Sequence, residues 1–141
     1  YVKMLEDAIK RLRGQEVEED IETEIAIKVN AYIPSDYIED EMDKIEIYKK
    51  IASIRDLEDK QNVEEEIEDR FSDIPFSVYT LTEAAYIKAL GKKMKIGKIS
   101  HTKRGVNFYA PDGRMIVQKS FGPLEDYKLL KSIANYLEGM L

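Results

Sequence analysis

The chain has 141 residues, 43% of them hydrophobic, 35% charged, and a net charge of −6, which suits one domain with a sizeable core and is too apolar for wholesale disorder. It contains no cysteine, which excludes disulfides, thiol nucleophiles and thiolate metal sites and fits a reducing compartment, with a cytoplasmic location expected. No apolar run approaches the ~20 residues of a membrane helix, and no cationic-then-apolar leader opens the chain.

The charge divides along the chain. Residues 1–70 carry 22 acids against 11 Lys/Arg, and residues 71–141 carry 6 acids against 11 Lys/Arg. Such asymmetry fits two faces of opposite sign, two partner surfaces, or halves that offset each other in the fold. The start at Tyr1, inside a helical pattern and without an initiator Met, reads as a fragment of a longer protein.

In chain order, Met4, Leu5, Ala8, Ile9 and Leu12 predict an amphipathic helix over 1–13, stopped at Gly14. Residues 15–20 form a polar, acidic linker. Strict alternation from Ile21 to Ile33 predicts a half-buried strand, ended by Pro34. Ser35 or Asp36 caps a predicted helix from Tyr37 to about Arg55. Its apolar face is Ile38, Met42, Ile45, Tyr48 and Ala52, widened by Ile47, Ile51 and Ile54. A short helix over 62–71 has the buried stripe Val63, Ile67 and Phe71, leaving Glu64, Glu65, Glu66, Glu68 and Asp69 outside it. Pro75 starts the next helix, to about Met94.

After Met94 the period changes to strands over 95–102, 105–110 and 114–120. Pro111-Asp112-Gly113 forms the turn between the last two, with Gly113 at positive φ. Gly122-Pro123 opens a last helix over 124–138, packing through Leu124, Tyr127, Leu130, Ile133, Ala134 and Leu137. Local strand pairing beside clustered helices predicts a single α+β domain with a small, mostly antiparallel sheet.

Catalytic patterns are missing. His101 is the single histidine, and Ser100 and Thr102, which flank it, point to the face of a strand opposite to its own, so no triad assembles from them. One His and no Cys exclude a typical zinc site, and the run from Glu64 to Asp69 lacks a calcium-loop frame. Neither phosphate-loop pattern is present. Scattered carboxylates leave a hydrolase open only as a third reading.

Two surface features remain. From 88 to 104 the chain carries Lys88, Lys92, Lys93, Lys95, Lys98, Lys103 and Arg104 with no acid, flanked by Tyr86, Phe108 and Tyr109. Lysines beside aromatics suit phosphate contact and base stacking, so a nucleic-acid-binding module, or a surface for an acidic partner, is the alternative reading. Lysines at a helix C-terminus also offset the helix dipole. The second feature is Glu66 and Asp69, three apart on one helix face, positioned to receive arginines of a partner. The local alternative pairs Glu66 with Arg70 at i,i+4.

The runs Ala31-Tyr32-Ile33-Pro34-Ser35-Asp36-Tyr37-Ile38, Ile45-Glu46-Ile47-Tyr48-Lys49-Lys50-Ile51-Ala52-Ser53 and Asp69-Arg70-Phe71-Ser72-Asp73-Ile74-Pro75 resemble the C-terminal domain of the bacterial transcription-repair coupling factor, the Mfd family. Met4-Leu5-Glu6-Asp7-Ala8-Ile9 is similar to the helix that leaves that family's motor module. The likeness is specific over residues 1–99 and weak over 100–141. It implies a helix leaving the motor over 1–14, a linker over 15–20 and a regulatory domain over 21–141. It further implies a parent that is an ATP-driven duplex-DNA translocase, displacing stalled RNA polymerase and recruiting UvrA. ATP and Mg then belong to upstream modules, and this fragment has no cofactor and is not itself an enzyme. The expected role is an autoinhibitory one in transcription-coupled nucleotide excision repair. The domain docks on the parent's own UvrB-like module through Glu66, Asp69 and Arg70 and masks UvrA binding. The family usually has glycine where Ser72 and Lys95 stand; a left-handed Lys95 would cost roughly 1 kcal/mol.

Overall fold

The computed structural model describes residues 21–141, so the helix over 1–14 and the linker over 15–20 lie outside the described residues. The order is β1 (Glu24–Ala26), α1 (Glu41–Ala52), α2 (Leu57–Phe71), α3 (Phe76–Lys93), β2 (Lys98–Thr102), β3 (Gly105–Tyr109), β4 (Met115–Lys119) and α4 (Asp126–Glu138). The sheet runs β1-β2-β3-β4, parallel between β1 and β2 and antiparallel in the other two pairs. The expected α+β class and mostly antiparallel sheet are therefore what the chain forms.

The predicted strand over 21–33 is extended and alternates in burial along its length, but it pairs for only three residues. Beyond Ala26 its backbone N–H groups turn to other elements. Asn30 donates to Asp126 Oδ1 at 2.9 Å, Tyr32 to the Ser77 carbonyl at 3.3 Å, and Ile33 to Tyr48 Oη at 3.0 Å. Alternation reports which side faces the core, and here the partners of the strand change while the side does not.

Helix boundaries moved to better caps. Asp40, not Ser35 or Asp36, caps α1, its carboxylate accepting from the Asp43 N–H at 2.9 Å. Asp56 caps α2 in the same way through the Asp59 N–H at 2.8 Å, so α2 begins five residues before Asn62. Of the primary stripe expected for this helix, Ile38 alone is buried. Ile47 and Ile51 are buried, with Ile38 and Ile54 beside them, whereas Met42 is 74% exposed and Ile45 47%.

α3 is the central helix, burying Val78, Tyr86, Ile87 and Leu90 together with the polar Thr80, Thr82 and Glu83. It ends where Gly91 meets the chain entering β1: a Cβ there would sit 2.6 Å from Thr23 Oγ1. Thr23 in turn donates to the Ile96 carbonyl at 2.7 Å. α4 packs through Leu129, Leu130, Ile133, Ala134 and Leu137, while Leu124 and Tyr127 of the expected face are only half-buried. The turn before β4 forms as expected, with Gly113 at φ 91°. No helix among the described residues is long and apolar enough to cross a membrane.

Candidate docking face

α2 reaches the surface between α1 and solvent, and its acidic run is not one uniform face. Glu64 turns inward, where its Oε2 accepts from Thr82 Oγ1 at 2.6 Å. Glu66 turns toward α1 and accepts a hydrogen bond from Lys50 Nζ. Asp69 is exposed, and among the described residues it makes no hydrogen bond or ion pair. The expectation that Glu64 stays outside is thus corrected: it lies one turn from Lys60, on the side α2 presents to α3.

Glu66 belongs to a ladder of charges joining the two helices. Lys50 Nζ also lies 3.2 Å from Glu46 Oε1. Arg70 places Nη1 3.1 Å from Glu46 Oε1 and 3.4 Å from Glu66 Oε2, and Nη2 3.4 Å from Asp43 Oδ1. Its guanidinium carbon lies 4.9 Å from the centre of the Phe71 ring, a cation–π distance that fixes the fork. The i,i+4 pair of Glu66 and Arg70 is therefore present, as one contact of five side chains. The hydrogen bond that Lys50 donates holds the Glu66 carboxyl below its ordinary range, and the same bond raises Lys50. The hydrogen bond to Glu46 raises Arg70 in the same way.

Beside this ladder lie apolar side chains without cover. Met42, Ile45 and Glu46 share one face of α1 by their spacing, so exposed Met42 and Ile45 adjoin the charged rungs. An apolar patch edged by charge is the usual anatomy of a protein-binding surface. Asp43, Glu46, Lys50, Glu66 and Arg70 sum to −1, and Glu65, Glu68 and Asp69 add further negative charge, so the face is net acidic. Sequence reasoning missed Asp43, Glu46 and Lys50 as members. Glu46–Lys50 was readable as an i,i+4 pair; the link from Lys50 to Glu66, sixteen residues on, was not.

The basic segment over 88–104 is spread over several elements. Lys88, Lys92 and Lys93 lie on the last turns of α3, and Lys95 follows in the turn at φ 59°. Lys98 opens β2, and Lys103 and Arg104 sit at the tip of the β2–β3 hairpin. Lys88 pairs with Glu22 and Lys98 with Glu24, each at 3.4 Å. Two of the three aromatics do not join them: Tyr86 is 4% exposed and donates to Glu138 Oε2 at 2.9 Å, and Phe108 is 1% exposed, whereas half-buried Tyr109 stands opposite Lys98 across β2 and β3. Burial, then the Glu138 hydrogen bond, raise the Tyr86 hydroxyl far above its ordinary range. His101 stands exposed on β2.

A second charged group is hidden behind α2. Lys60 Nζ lies 2.8 Å from Glu83 Oε1 and 3.6 Å from Glu64 Oε1, and Lys131 of α4 approaches Glu83 to 3.7 Å. Glu83 is wholly buried, and neither carboxylate oxygen has an aligned hydrogen-bond donor. Burial alone would lower Lys60, but the Glu83 carboxylate beside it, aided by Glu64, more than offsets that and raises it. One sequence signal existed: Glu83 is the single charged residue between Asp73 and Lys88.

The backbone records the two expected departures. Ser72 ends α2 at φ 83° and ψ −165°, a region populated essentially by glycine, and Lys95 takes the left-handed conformation. Tyr37 Oη donates to the Ser72 carbonyl at 2.8 Å and helps hold it there.

A protein-family model described as the TRCF domain matches residues 27–120. The chain is 35% identical over 107 residues to a transcription-repair-coupling factor of Bacillus subtilis (strain 168), covering 75% of this chain and 9% of that protein. It is 40% identical over 90 residues to the same-named protein of Staphylococcus haemolyticus (strain JCSC1435), covering 62% of this chain and 8% of the relative. A crystal structure of the C-terminal domain of a transcription-repair coupling factor superposes with a TM-score of 0.64 at 20% identity, over 89% of this chain and 99% of that one, which shows a shared fold. The chain thus spans about a tenth of its curated relatives' length. The family match runs on to residue 120, beyond the segment where the motif likeness was specific. The chain belongs to the TRCF-domain family, whose matched relatives are transcription-repair-coupling factors.

Proposed function

We propose that this chain is a non-catalytic regulatory domain within a transcription-repair coupling factor, and that it docks on that protein's own UvrB-like module through the outer face of α1 and α2. Docked, it masks the surface that recruits UvrA; released, it exposes that surface. ATP hydrolysis and movement along duplex DNA, and with them the displacement of stalled RNA polymerase in the cytoplasm, belong to the rest of the parent.

The observation that carries the docking reading is Asp69, an exposed carboxylate without a partner among the described residues, on the helix that the Arg70 ladder fixes against α1. Exposed Met42 and Ile45 supply apolar contact beside it. Rim charges set specificity and salt sensitivity more than raw affinity, which suits a contact that must release. Such a latch requires only a few kcal/mol of differential stability.

The test is a pull-down of the 141-residue chain with a UvrB-like module, against the Glu66→Arg/Asp69→Arg variant. The reading predicts loss of capture, deepest at low salt, where like-charge repulsion is least screened. Undiminished capture contradicts it.

A further inference from the structure

The sheet ends on β4, whose outer edge is open. β4 pairs with β3 on one side and, among the described elements, has no neighbour on the other. Beyond the β3 ladder, the backbone bonds of Arg114–Lys119 lie at the preceding turn alone. There the Arg114 carbonyl accepts from the Ala110 N–H at 2.8 Å, and the Arg114 N–H donates to Asp112 Oδ1 at 2.9 Å. Met115 and Ile116 stand exposed along this edge, and the run from Arg114 to Lys119 holds no proline. An open apolar edge without proline is a template for another strand.

The usual protections of an edge are present only in part. The register shifts between Phe108 and Tyr109, opposite Met115 and Val117, so the regular template is short. Lys119 does not guard the edge. Its Nζ lies 5.4 Å from the centre of the Tyr136 ring and 6.0 Å from that of Phe121, which draws it to the core side, where Tyr136 also packs on Phe108. The charge of the edge is of one sign. Arg114 stands at its turn end. Lys119 stands at the other, beside Lys103 and Arg104 of the β2–β3 tip; a Cβ on the next residue, Gly105, would sit 2.6 Å from the Lys119 carbonyl oxygen. All four cations are exposed, and among the described residues none has an ion pair. Between Gly113 and Leu124 there is no acid. A second copy is disfavoured here, because antiparallel self-pairing centred between Ile116 and Val117 sets Arg114 against Lys119 twice.

We infer that β4 accepts an added strand from a partner protein, an extended segment with acidic ends and a β-branched middle. Six residues of strand span roughly 20 Å, the reach from Arg114 to Lys119. Backbone bonds to the open edge supply affinity, and Met115 and Ile116 supply apolar contact. Carboxylates on Arg114 at one end and on Lys119, Lys103 and Arg104 at the other set the register. Neither α1 nor α2 neighbours β4, so this contact is independent of the docking face.

The test uses the 141-residue chain with three probes: a hexapeptide of alternating Val and Thr with Glu at both ends, the same peptide N-methylated at every interior amide, and a short DNA duplex. Amide hydrogen exchange is read residue by residue by NMR. Strand addition predicts slower exchange within Met115–Lys119, about tenfold at a peptide concentration ten times its Kd, where exchange proceeds through the free fraction. The N-methylated peptide should leave exchange unchanged. Arg114→Gln/Lys119→Gln should weaken peptide binding roughly two- to thirtyfold, the range of two exposed ion pairs. The native and N-methylated peptides meet the same unaltered chain, so the outcome does not depend on the variant's folding. Equal binding of the two peptides overturns the proposal by reducing the edge to a patch of charge, and no slowing with either peptide overturns it outright. Slowing by the duplex alone overturns it in favour of phosphate contact. Slowing that grows with protein concentration, without peptide, overturns it in favour of a second copy.

Discussion

α2 carries charge on two sides, and the sides differ in what holds them. Outside, Glu66 and Arg70 meet Asp43, Glu46 and Lys50 in a ladder that is about one-third to one-half exposed. Inside, Lys60 and Glu83 are 8% and 0% exposed, with Glu64 and Lys131 as further partners. Exposed pairs are individually weak and screened by salt, so the outer ladder orders a surface without committing the fold to it. A buried pair gains little net stability over an apolar one, yet breaking it strands a charge without water. One helix therefore presents an adjustable surface backed by a fixed interior.

The sharpest way to break this contrast is from inside. Lys60→Met leaves Glu83 buried beside the more distant Lys131 and should destabilise the chain by about 3 kcal/mol. Lys60→Met/Glu83→Leu should recover most of that, as urea denaturation would show. If the double variant is as unstable as the single one, the buried pair is not what the interior depends on.

Backbone strain bounds the outer ladder, because Ser72 sets where α2 stops, two residues past Arg70. Ser72→Gly should stabilise by about 1–2 kcal/mol by removing a conformation that only glycine adopts freely. Lys95→Gly, remote from the outer ladder, should add about 1 kcal/mol. Thermal midpoints test both, and a gain at Lys95 without one at Ser72 would show that the Tyr37 bond and the ladder already absorb the strain at α2.

The smallest effect is the outer ladder's own. Glu66→Gln should cost about 1 kcal/mol or less at neutral pH. The Glu66 carboxyl is held below the ordinary value of 4.5, so its contribution is complete above that value and is lost as the pH falls through the depressed one. Melting curves of the native and Gln chains should therefore converge in acid. A difference that persists there would mean the substitution acts through packing.

The sequence made some of this legible. Alternation over 21–33 identified the inward side of the extended segment, and the turn at Pro111-Asp112-Gly113 placed the last hairpin, because both signals are local. The α1 stripe was misassigned because two stripes, Met42/Ile45 and Ile47/Ile51, both satisfy helical spacing, and only tertiary packing chooses between them. The inward turn of Glu64 was hidden for the same reason: its partner Thr82 lies on α3. For the candidate site, Glu66 and Asp69 sharing one face followed from spacing. Their division of labour did not, since Lys50 reaches Glu66 from another helix while Asp69 has no partner among the described residues.

That division makes the single variant Asp69→Arg the most direct test. Glu66→Arg would set a cation against Lys50 and Arg70 and disturb the ladder itself, whereas Asp69 can be reversed without breaking an internal contact. Titration of the chain against a UvrB-like module should show Asp69→Arg binding about tenfold weaker, a loss of ~1.4 kcal/mol, at an unchanged melting temperature. Binding as tight as that of the native chain would contradict docking through this face.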